Sequence, residues 1–145
     1  MGPRINYFFE NIHPFKYGLP AKKWIKLCLS KGGREPGVLN FIFCSDQHLQ
    51  NINKTYLGKT YFTDVITFDQ GGSTSLTDRS LAVSGDVFIS IERVKDNTKT
   101  YKTILATELK RVMIHGCLHL LGFNDSSKRE KTIMREKENI YIKLK

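Results

Sequence analysis

The spacing of apolar residues changes along the chain from short runs typical of strands to longer stretches with helical periodicity. Residues 38–44 and 83–90 are apolar runs that predict buried strands, residues 65–68 predict a third, and residues 5–11 alternate weakly, as an edge strand does. The segments between them and the last third of the chain are predicted to be helical. This order predicts an α+β fold in which a small mixed four-stranded sheet packs with about five helices.

Capping residues mark where several of these helices begin and end. Pro20 opens a first helix that stops before Gly32, and Ser45 caps a second helix. Ser127 begins the last helix and, together with Glu130, has the spacing of a capping box. The apolar stripe of this last helix is predicted to consist of Ile133, Ile140, Tyr141 and Leu144.

A central helix is predicted from the absence of charge in residues 112–123, which indicates burial on most sides. The preceding residues, 103–111, mix apolar and charged positions, so we expect this half of the helix to be amphipathic and partly exposed. Gly116 is less favourable than Ala inside a helix by about 1 kcal/mol. Its presence predicts that another backbone approaches the helix closely at this point.

The same helix carries His115 and His119, whose separation lets both imidazoles reach one ion. Gly122 can take the left-handed conformation that ends a helix, after which the returning chain brings the carboxylate of Asp125. The spacing His-x3-His-x2-Gly-x2-Asp follows a zinc-hydrolase signature, with Asp in the place of a third His. We therefore predict a zincin-like centre in which these residues hold one divalent ion, zinc, and leave a fourth position open to water.

The motif admits two other interpretations. Both histidines could be core residues bonded to backbone, but the presence of Gly122 and Asp125 at ligand spacing favours a metal site. A zinc protease shares the spacing, yet proteases need Glu directly after the first histidine as general base, and this chain has Gly116 there. The motif thus supports a metal site and weakens a peptide-cleaving function.

The charge of the chain points to a polyanionic partner. Lys and Arg number 23 against 14 Asp and Glu, which gives a net charge of +9 and a pI near 9.5. The basic residues are dispersed rather than gathered in one tract, which indicates a folded basic surface. Charge alone does not separate RNA from DNA, or an enzyme from a binding protein.

Length and composition predict that residues 1–145 form one hydrolase domain. No apolar run is long enough to span a bilayer, and no signal peptide is recognised, so we expect a cytoplasmic protein without a membrane partner. The three cysteines lack zinc-knuckle spacing and are predicted to be reduced, buried thiols. Cys117 is assigned a packing role because it points away from His115 around the helix.

Three segments carry a resemblance to a known family: residues 115–125 (HGCLHLLGFND), 63–68 (TDVITF) and 85–90 (GDVFIS). In sequence, order and spacing they resemble the YbeY-type metal-dependent endoribonucleases of ribosomal RNA maturation, from about residue 41 to the carboxyl end. The resemblance implies a metal-dependent enzyme that cuts ribosomal RNA. With the predicted ligands we expect the metal to be zinc, one ion per chain, and we expect cleavage in single-stranded regions, whose backbone can bend into a cleft. The implied partners are the small ribosomal subunit or its assembly factors.

Two positions depart from the pattern of that family. Its third histidine falls on Asp125, so the implied ligands are two His and one Asp. The arginine that the family carries after Tyr56 is replaced by Leu57. Lys59 is the candidate substitute as a phosphate-facing cation, although a lysine lacks the bidentate fork of an arginine.

The residue that acts as general base is not evident from the motif. Asp86 and Glu108 are the candidates, and Glu108 shares the face of His115 on the helix but lies at a distance that suits a residue behind the ligands. The resemblance also implies that the cleft is lined by Thr63, Asp64 and Ser90. A Gly/Ser/Thr-rich loop at residues 69–80 is predicted to be mobile. A non-catalytic assembly factor remains the rival function, and its metal would have four protein ligands.

Overall fold

The computed structural model describes residues 4–71 and 82–145, and it confirms the predicted α+β class. A four-stranded sheet packs with five helices in the described part of the chain. The elements are, in chain order, β1 (Arg4–Glu10), α1 (Lys22–Lys31), β2 (Pro36–Cys44), α2 (Asp46–Leu57), β3 (Val65–Gly71), β4 (Val83–Ser90), α3 (Ile91–Tyr101), α4 (Leu105–Leu120) and α5 (Lys128–Ile142). Of these, α3 was not separately predicted from the sequence. Within the described ranges, every helix is too short or too polar to cross a lipid bilayer.

The sheet is mixed and has the strand order β1-β2-β4-β3. Strands β1, β2 and β4 are parallel, whereas β3 pairs with β4 in the antiparallel direction. In this register Phe41 of β2 lies between Tyr7 of β1 and Val87 of β4. The prediction of an edge strand near the amino terminus is confirmed, because β1 has a partner on one side only.

The two faces of the sheet are covered unequally. The main core lies between one face and the helices α1, α4 and α5, and it includes Phe41, Val87 and Leu118. A second, smaller cluster of buried side chains forms between the other face and α2, around Leu49 and Ile66. Because side chains alternate along a strand, β2, β3 and β4 contribute to both clusters, whereas β1 contributes to the main core alone among the described clusters. The central position predicted for the uncharged helix is confirmed by α4.

Gly116 lets α4 lie close to the sheet. A Cβ atom at this position would be 2.6 Å from Cγ1 of Val87 and 3.2 Å from Cγ2 of Thr67. The close approach expected from the sequence is present, but side chains of the sheet make it rather than another backbone. A side chain at position 116 therefore fits only if Val87 or the packing around it shifts.

The packing of two helices differs from the sequence prediction. At the start of α4, Ile104 is 67% exposed although it is apolar, whereas Glu108 is only 1% exposed. On α5 the predicted stripe is wrong in part, since Ile133 and Ile140 are exposed. Its buried face consists of Met134, Glu138 and Tyr141. In both helices a carboxylate, Glu108 or Glu138, is buried among the apolar residues of the packed face.

The structure confirms the predicted caps of α2 and α5 and the predicted end of α1. Ser45 caps α2 by accepting a hydrogen bond from the backbone N–H of His48. Ser127 and Glu130 form the predicted capping box at the start of α5. Helix α1 ends at Lys31, directly before Gly32. The loop predicted to be mobile lies for the most part outside the described residues.

Candidate metal centre

The carboxyl end of α4 turns back through a short hydrogen-bonded reversal. Gly122 adopts the left-handed conformation with φ 101°, as the sequence predicted. Its N–H donates to the carbonyl of His119, and the N–H of Phe123 donates to the carbonyl of Leu118, both at 3.0 Å. This pair of bonds is a Schellman motif. The reversal returns the chain toward the helix, so that Asp125 reaches the two histidines.

Three side chains converge at this point. The Nε2 atoms of His115 and His119 are 3.0 Å apart, and they lie 3.2 and 3.5 Å from Oδ2 of Asp125. Ligand bonds of about 2.0–2.1 Å to a tetrahedral ion would place neighbouring ligand atoms about 3.3 Å apart. The three separations therefore fit the edges of one tetrahedral metal site.

The outer nitrogen of each imidazole has its own acceptor. Nδ1 of His115 lies 2.7 Å from Oε2 of Glu138, and Nδ1 of His119 lies 3.0 Å from the carbonyl oxygen of Phe123. In the neutral rings both Nδ1 atoms must carry the proton in order to donate these bonds. Both Nε2 atoms then present lone pairs to each other and to the carboxylate of Asp125. Such a set of acceptors without a donor is suited to a cation.

The two rings differ in their affinity for protons. Burial lowers the pKa of His115, but the hydrogen bond and charge of Glu138, with the charges of Asp125 and Asp64, raise it above its usual value. Burial and the neighbouring His115 hold the pKa of His119 below its usual value. Opposite shifts are expected where only one positive charge fits between two imidazoles.

Glu138 is a functional residue that the sequence reasoning missed. It is 4% exposed, and its Oε1 lies 3.4 Å from Nη1 of Arg111 and 3.8 Å from Nη1 of Arg135. The buried carboxylate next to His115 therefore has two guanidinium groups near its other oxygen. A signal existed in the sequence, because Glu138 is in helical register with Met134 and Tyr141, so one face of α5 contains an acid among apolar residues.

The group of His115, His119 and Asp125 is called the metal cluster below, as the candidate site for one ion. A cavity of about 300 Å³ opens beside it. Glu108 forms part of its wall, and Oε2 of this residue accepts a hydrogen bond of 2.8 Å from Oγ1 of Thr103. Oε1 has no hydrogen-bond partner among the described residues, and it lies 3.7 Å from Nε of Arg111. The polar and charged residues that line the cavity are Asp64, Asn97, Tyr101, Glu108, Arg111, His115, Asp125, Lys131, Arg135 and Glu138.

Other candidates from the sequence lie elsewhere. Asp86 lies between Gly85 and Val87 of β4, which face α4, so Asp86 points to the opposite side of the sheet. Lys59 is exposed beyond the end of α2, with its Nζ 5.6 Å from the ring centroid of Tyr61. The structure therefore brings neither Asp86 nor Lys59 to the metal cavity.

The three residues that the resemblance places along the cleft lie in different environments. Asp64 lines the metal cavity, where it accepts a long hydrogen bond of 3.5 Å from Asn97. Ser90 is buried and caps α3 by accepting from the backbone N–H of Arg93. Thr63 is half-buried and does not line the cavity. The role of Ser90 could have been predicted, because a serine follows a strand and precedes a polar helical segment.

Comparison with known proteins places this site in a family. The family described as endoribonuclease YbeY matches residues 9–144. Endoribonuclease YbeY of Karelsulcia muelleri is 46% identical over 95% of this chain and 93% of its own length. The Christiangramia forsetii protein of the same name is 39% identical over 97% of this chain and 93% of its own.

A solved structure shares the fold. The solution structure of TM1509 from Thermotoga maritima has a TM-score of 0.63 and 22% identity, and the match covers 96% of this chain and 87% of that one. At this identity the likeness concerns the fold alone. The sequence matches decide the family, because they extend over nearly the whole chain and include the metal cluster: the chain belongs to the YbeY endoribonuclease family.

Proposed function

We propose that this protein is a zinc-dependent endoribonuclease that cuts single-stranded regions of ribosomal RNA. The observation that carries the proposal is the convergence of two imidazole Nε2 atoms and one carboxylate oxygen within 3.0 to 3.5 Å of one another. His115, His119 and Asp125 would hold the ion. Bound there, zinc would supply Lewis acidity toward a phosphate oxygen and would lower the pKa of water.

The protein's own residues would orient this centre and the substrate. Glu138 and the carbonyl of Phe123 hold the two rings with Nε2 directed at one point. Arg111, Lys131 and Arg135 line the cavity beside the cluster and are suited to hold the phosphates of an RNA strand. These cations also offset the carboxylates of the same cavity.

Glu108 is the proposed general base. It lines the same cavity as His115, and its Oε1 has no hydrogen-bond partner in the described part of the chain. An oxygen in that position can accept a proton from an attacking water molecule. Asp86 and Lys59 are not assigned to the chemistry, since they lie outside this cavity.

The packing around Gly116 argues against peptide cleavage. Proteases with this ligand spacing place a catalytic Glu directly after the first histidine. Here a Cβ atom at position 116 would be 2.6 Å from Cγ1 of Val87. A glutamate at this position would therefore require Val87 or the packing of α4 on the sheet to shift, and its side chain would start toward the sheet.

RNA is favoured as the substrate by charge and by family. The net charge of +9 suits a polyanion, and the relatives are named endoribonucleases. Single-stranded regions are proposed because a flexible backbone can bend into a cavity, whereas a duplex would first have to unpair. A role at the small ribosomal subunit is part of the same proposal.

The proposal is tested by measuring metal content and RNA cleavage on the same preparations. The wild type should contain one zinc ion per chain and cut ribosomal RNA, chelation should stop cleavage, and added zinc should restore it. His115→Ala should lose both properties, whereas His13→Ala, which changes an exposed histidine outside the cluster, should retain both. Bound zinc without RNA cleavage in the wild type would favour a non-catalytic assembly factor.

A further inference from the structure

An aromatic side chain lines the metal cavity next to its charged groups. The cavity holds about 300 Å³, which is at the lower end of the range of about 300–1,000 Å³ for small-molecule sites and suits one nucleotide better than a longer segment. Among the described residues, Tyr101 is the one phenylalanine, tyrosine or tryptophan that lines it. Its side chain is 53% exposed, so the ring can contact a ligand without first being uncovered.

The turn between α3 and α4 fixes the backbone at Tyr101, the last residue of α3. The N–H of Thr103 donates to the carbonyl of Thr98 at 3.0 Å. The hydroxyl of Thr103 donates to Oε2 of Glu108 at 2.8 Å. The segment that follows the ring is therefore bonded to α4, which forms another wall of the same cavity.

Contacts through α5 connect Tyr101 to the metal cluster. The guanidinium carbon of Arg135 lies over the ring, 5.4 Å from its centroid. Nη1 of Arg135 is 3.8 Å from Oε1 of Glu138, and Oε2 of Glu138 is 2.7 Å from Nδ1 of His115. Only two side chains thus separate the ring from a metal ligand, and a nucleotide whose base contacts the ring has its phosphate in the cavity of the metal cluster.

Asn97 lies one helical turn before Tyr101 and lines the same cavity. Its amide donates a long hydrogen bond of 3.5 Å to Oδ2 of Asp64, and an amide offers both donors and an acceptor, as the edge of a base does. Helix α3 thus contributes a ring and an amide to the cavity, whereas α5 contributes the cations Lys131 and Arg135. A ring and an amide suit a base, and the cations suit a phosphate.

We infer that Tyr101 and Asn97 form a base site, in which the ring stacks on one base of the RNA strand beside the scissile phosphate and the amide faces the edge of that base. Arg135 lies over one face of the ring, and the remaining exposed surface is left for the base. Stacking accepts any base, because every base has a π face. In a duplex neighbouring bases cover these faces, so a single strand is the ligand that fits. This inference rests on the proposed function, because it takes RNA to be the substrate.

The test removes the ring and the base separately and together. Tyr101→Leu keeps an apolar side chain without a ring, and Tyr101→Phe keeps the ring. Tyr17→Leu is the matched control, because Tyr17 is 82% exposed and does not line the metal cavity. The ligands are short single-stranded RNAs of one sequence, in each of which a different nucleotide lacks its base but keeps its phosphate. Fluorescence anisotropy measures binding at several salt concentrations, with metal chelated so that the RNA stays intact.

Tyr101→Leu should bind the intact RNA roughly 5- to 20-fold more weakly than the wild type does. For the wild type, the loss of one particular base should weaken binding by a similar factor. For Tyr101→Leu, the loss of that base should have no further effect, because the ring and the base act as a pair. Tyr101→Phe and Tyr17→Leu should bind as the wild type does. The slope of log affinity against log salt should be the same for all variants, since none of them removes a charge.

Three results would overturn the base site. The first is an unchanged affinity of Tyr101→Leu for the intact RNA. The second is that the losses caused by removing the ring and the base add in full at every position of the strand. The third is a smaller salt slope for Tyr101→Leu, which would mean that the ring acts only by holding Arg135 against the phosphates.

Cleavage by the zinc-loaded protein separates this inference from the proposed function. A wild type that cuts RNA but shows no pairing between the ring and a base would overturn the base site alone. A wild type that shows the pairing but does not cut RNA would overturn the proposed activity and support the base site.

Discussion

The two sides of the sheet carry polar clusters of opposite character. On the side away from α4, Asn6 donates to Oδ1 of Asn40 at 3.0 Å, and Asn40 donates to Oδ1 of Asp86 at 2.9 Å. Gln70 completes this polar ladder by donating to the other oxygen of Asp86 at 2.9 Å. Each acceptor in the chain of bonds has a donor, so the ladder is satisfied by the protein itself.

The metal cluster on the α4 side has no such balance. There Nε2 of His115, Nε2 of His119 and Oδ2 of Asp125 lie 3.0 to 3.5 Å from one another, and in the neutral rings all three present lone pairs to one point. Burying acceptors against each other is unfavourable unless a cation joins them. An aspartate among polar side chains therefore does not by itself indicate a metal site. In a structural cluster each acceptor has a donor, whereas in a ligand set several acceptors are directed at one point.

The largest expected effect is the removal of a ligand from the metal cluster. His115→Ala leaves one imidazole and one carboxylate, so stoichiometric zinc and RNA cleavage should both be lost. Elemental analysis and an RNA digest measure the two losses. The contrast between the clusters fails if this variant keeps its zinc, because the three lone pairs would then not be the metal site.

Substitutions of Asp125 test the same metal site and distinguish a replaced ligand from a removed one. Asp125→Ala should weaken zinc binding strongly, whereas Asp125→His should retain it, because imidazole and carboxylate both bind zinc at about 2.0–2.2 Å. Competition with a fluorescent chelator gives the affinities. If the Ala variant bound zinc as tightly as the wild type, Asp125 would not be a ligand.

Glu138→Gln probes the residue behind the cluster. Gln can still accept from Nδ1 of His115 but lacks the negative charge, so zinc affinity should fall about 10- to 100-fold. Glu136→Gln is the matched control on the exposed face of α5 and should bind zinc as the wild type does. Equal affinities for these two variants would show that Glu138 does not support the ligand.

Gly116→Ala probes the packing beneath the metal helix. Ala gains about 1 kcal/mol in helix propensity, but the contact with Val87 should cost more, as overpacking typically costs about 1–3 kcal/mol. Chemical denaturation should show a net loss of stability. In a Val87→Ala background the same change should become stabilising, and a loss of equal size in both backgrounds would contradict the proposed contact.

Asp86→Asn should have the smallest effect on the metal site, and it probes the polar ladder. The new amide places a donor opposite an existing donor, so one hydrogen bond is lost and stability should fall by about 1–2 kcal/mol. Zinc content and cleavage should be unchanged. If the variant folded normally but no longer cut RNA, Asp86 would take part in the reaction, and the two clusters would not differ in function.

Several features of the candidate site could be predicted because they depend on neighbours in the chain. The separation of His115 and His119 is set by helix geometry, and Gly122 ends the helix by its own conformational freedom. The side on which Asp86 lies was also accessible, since Val83, Val87 and Ile89 occupy alternate positions of one strand. This alternation predicts that Asp86 lies on the face of the sheet opposite α4, away from the two histidines.

What the sequence determined by itself was the order of the elements other than α3, the caps of α2 and α5, and the grouping of His115, His119 and Asp125, because these depend on interactions within a few residues. Tertiary structure alone decided that Glu138 of α5 reaches His115, 23 residues earlier, and that Val87 occupies the space next to Gly116. It also brought Lys31 and Lys137 to the lining of one cavity. Such pairs depend on how the helices pack against the sheet, and no local preference encodes the distance between residues so far apart in the chain.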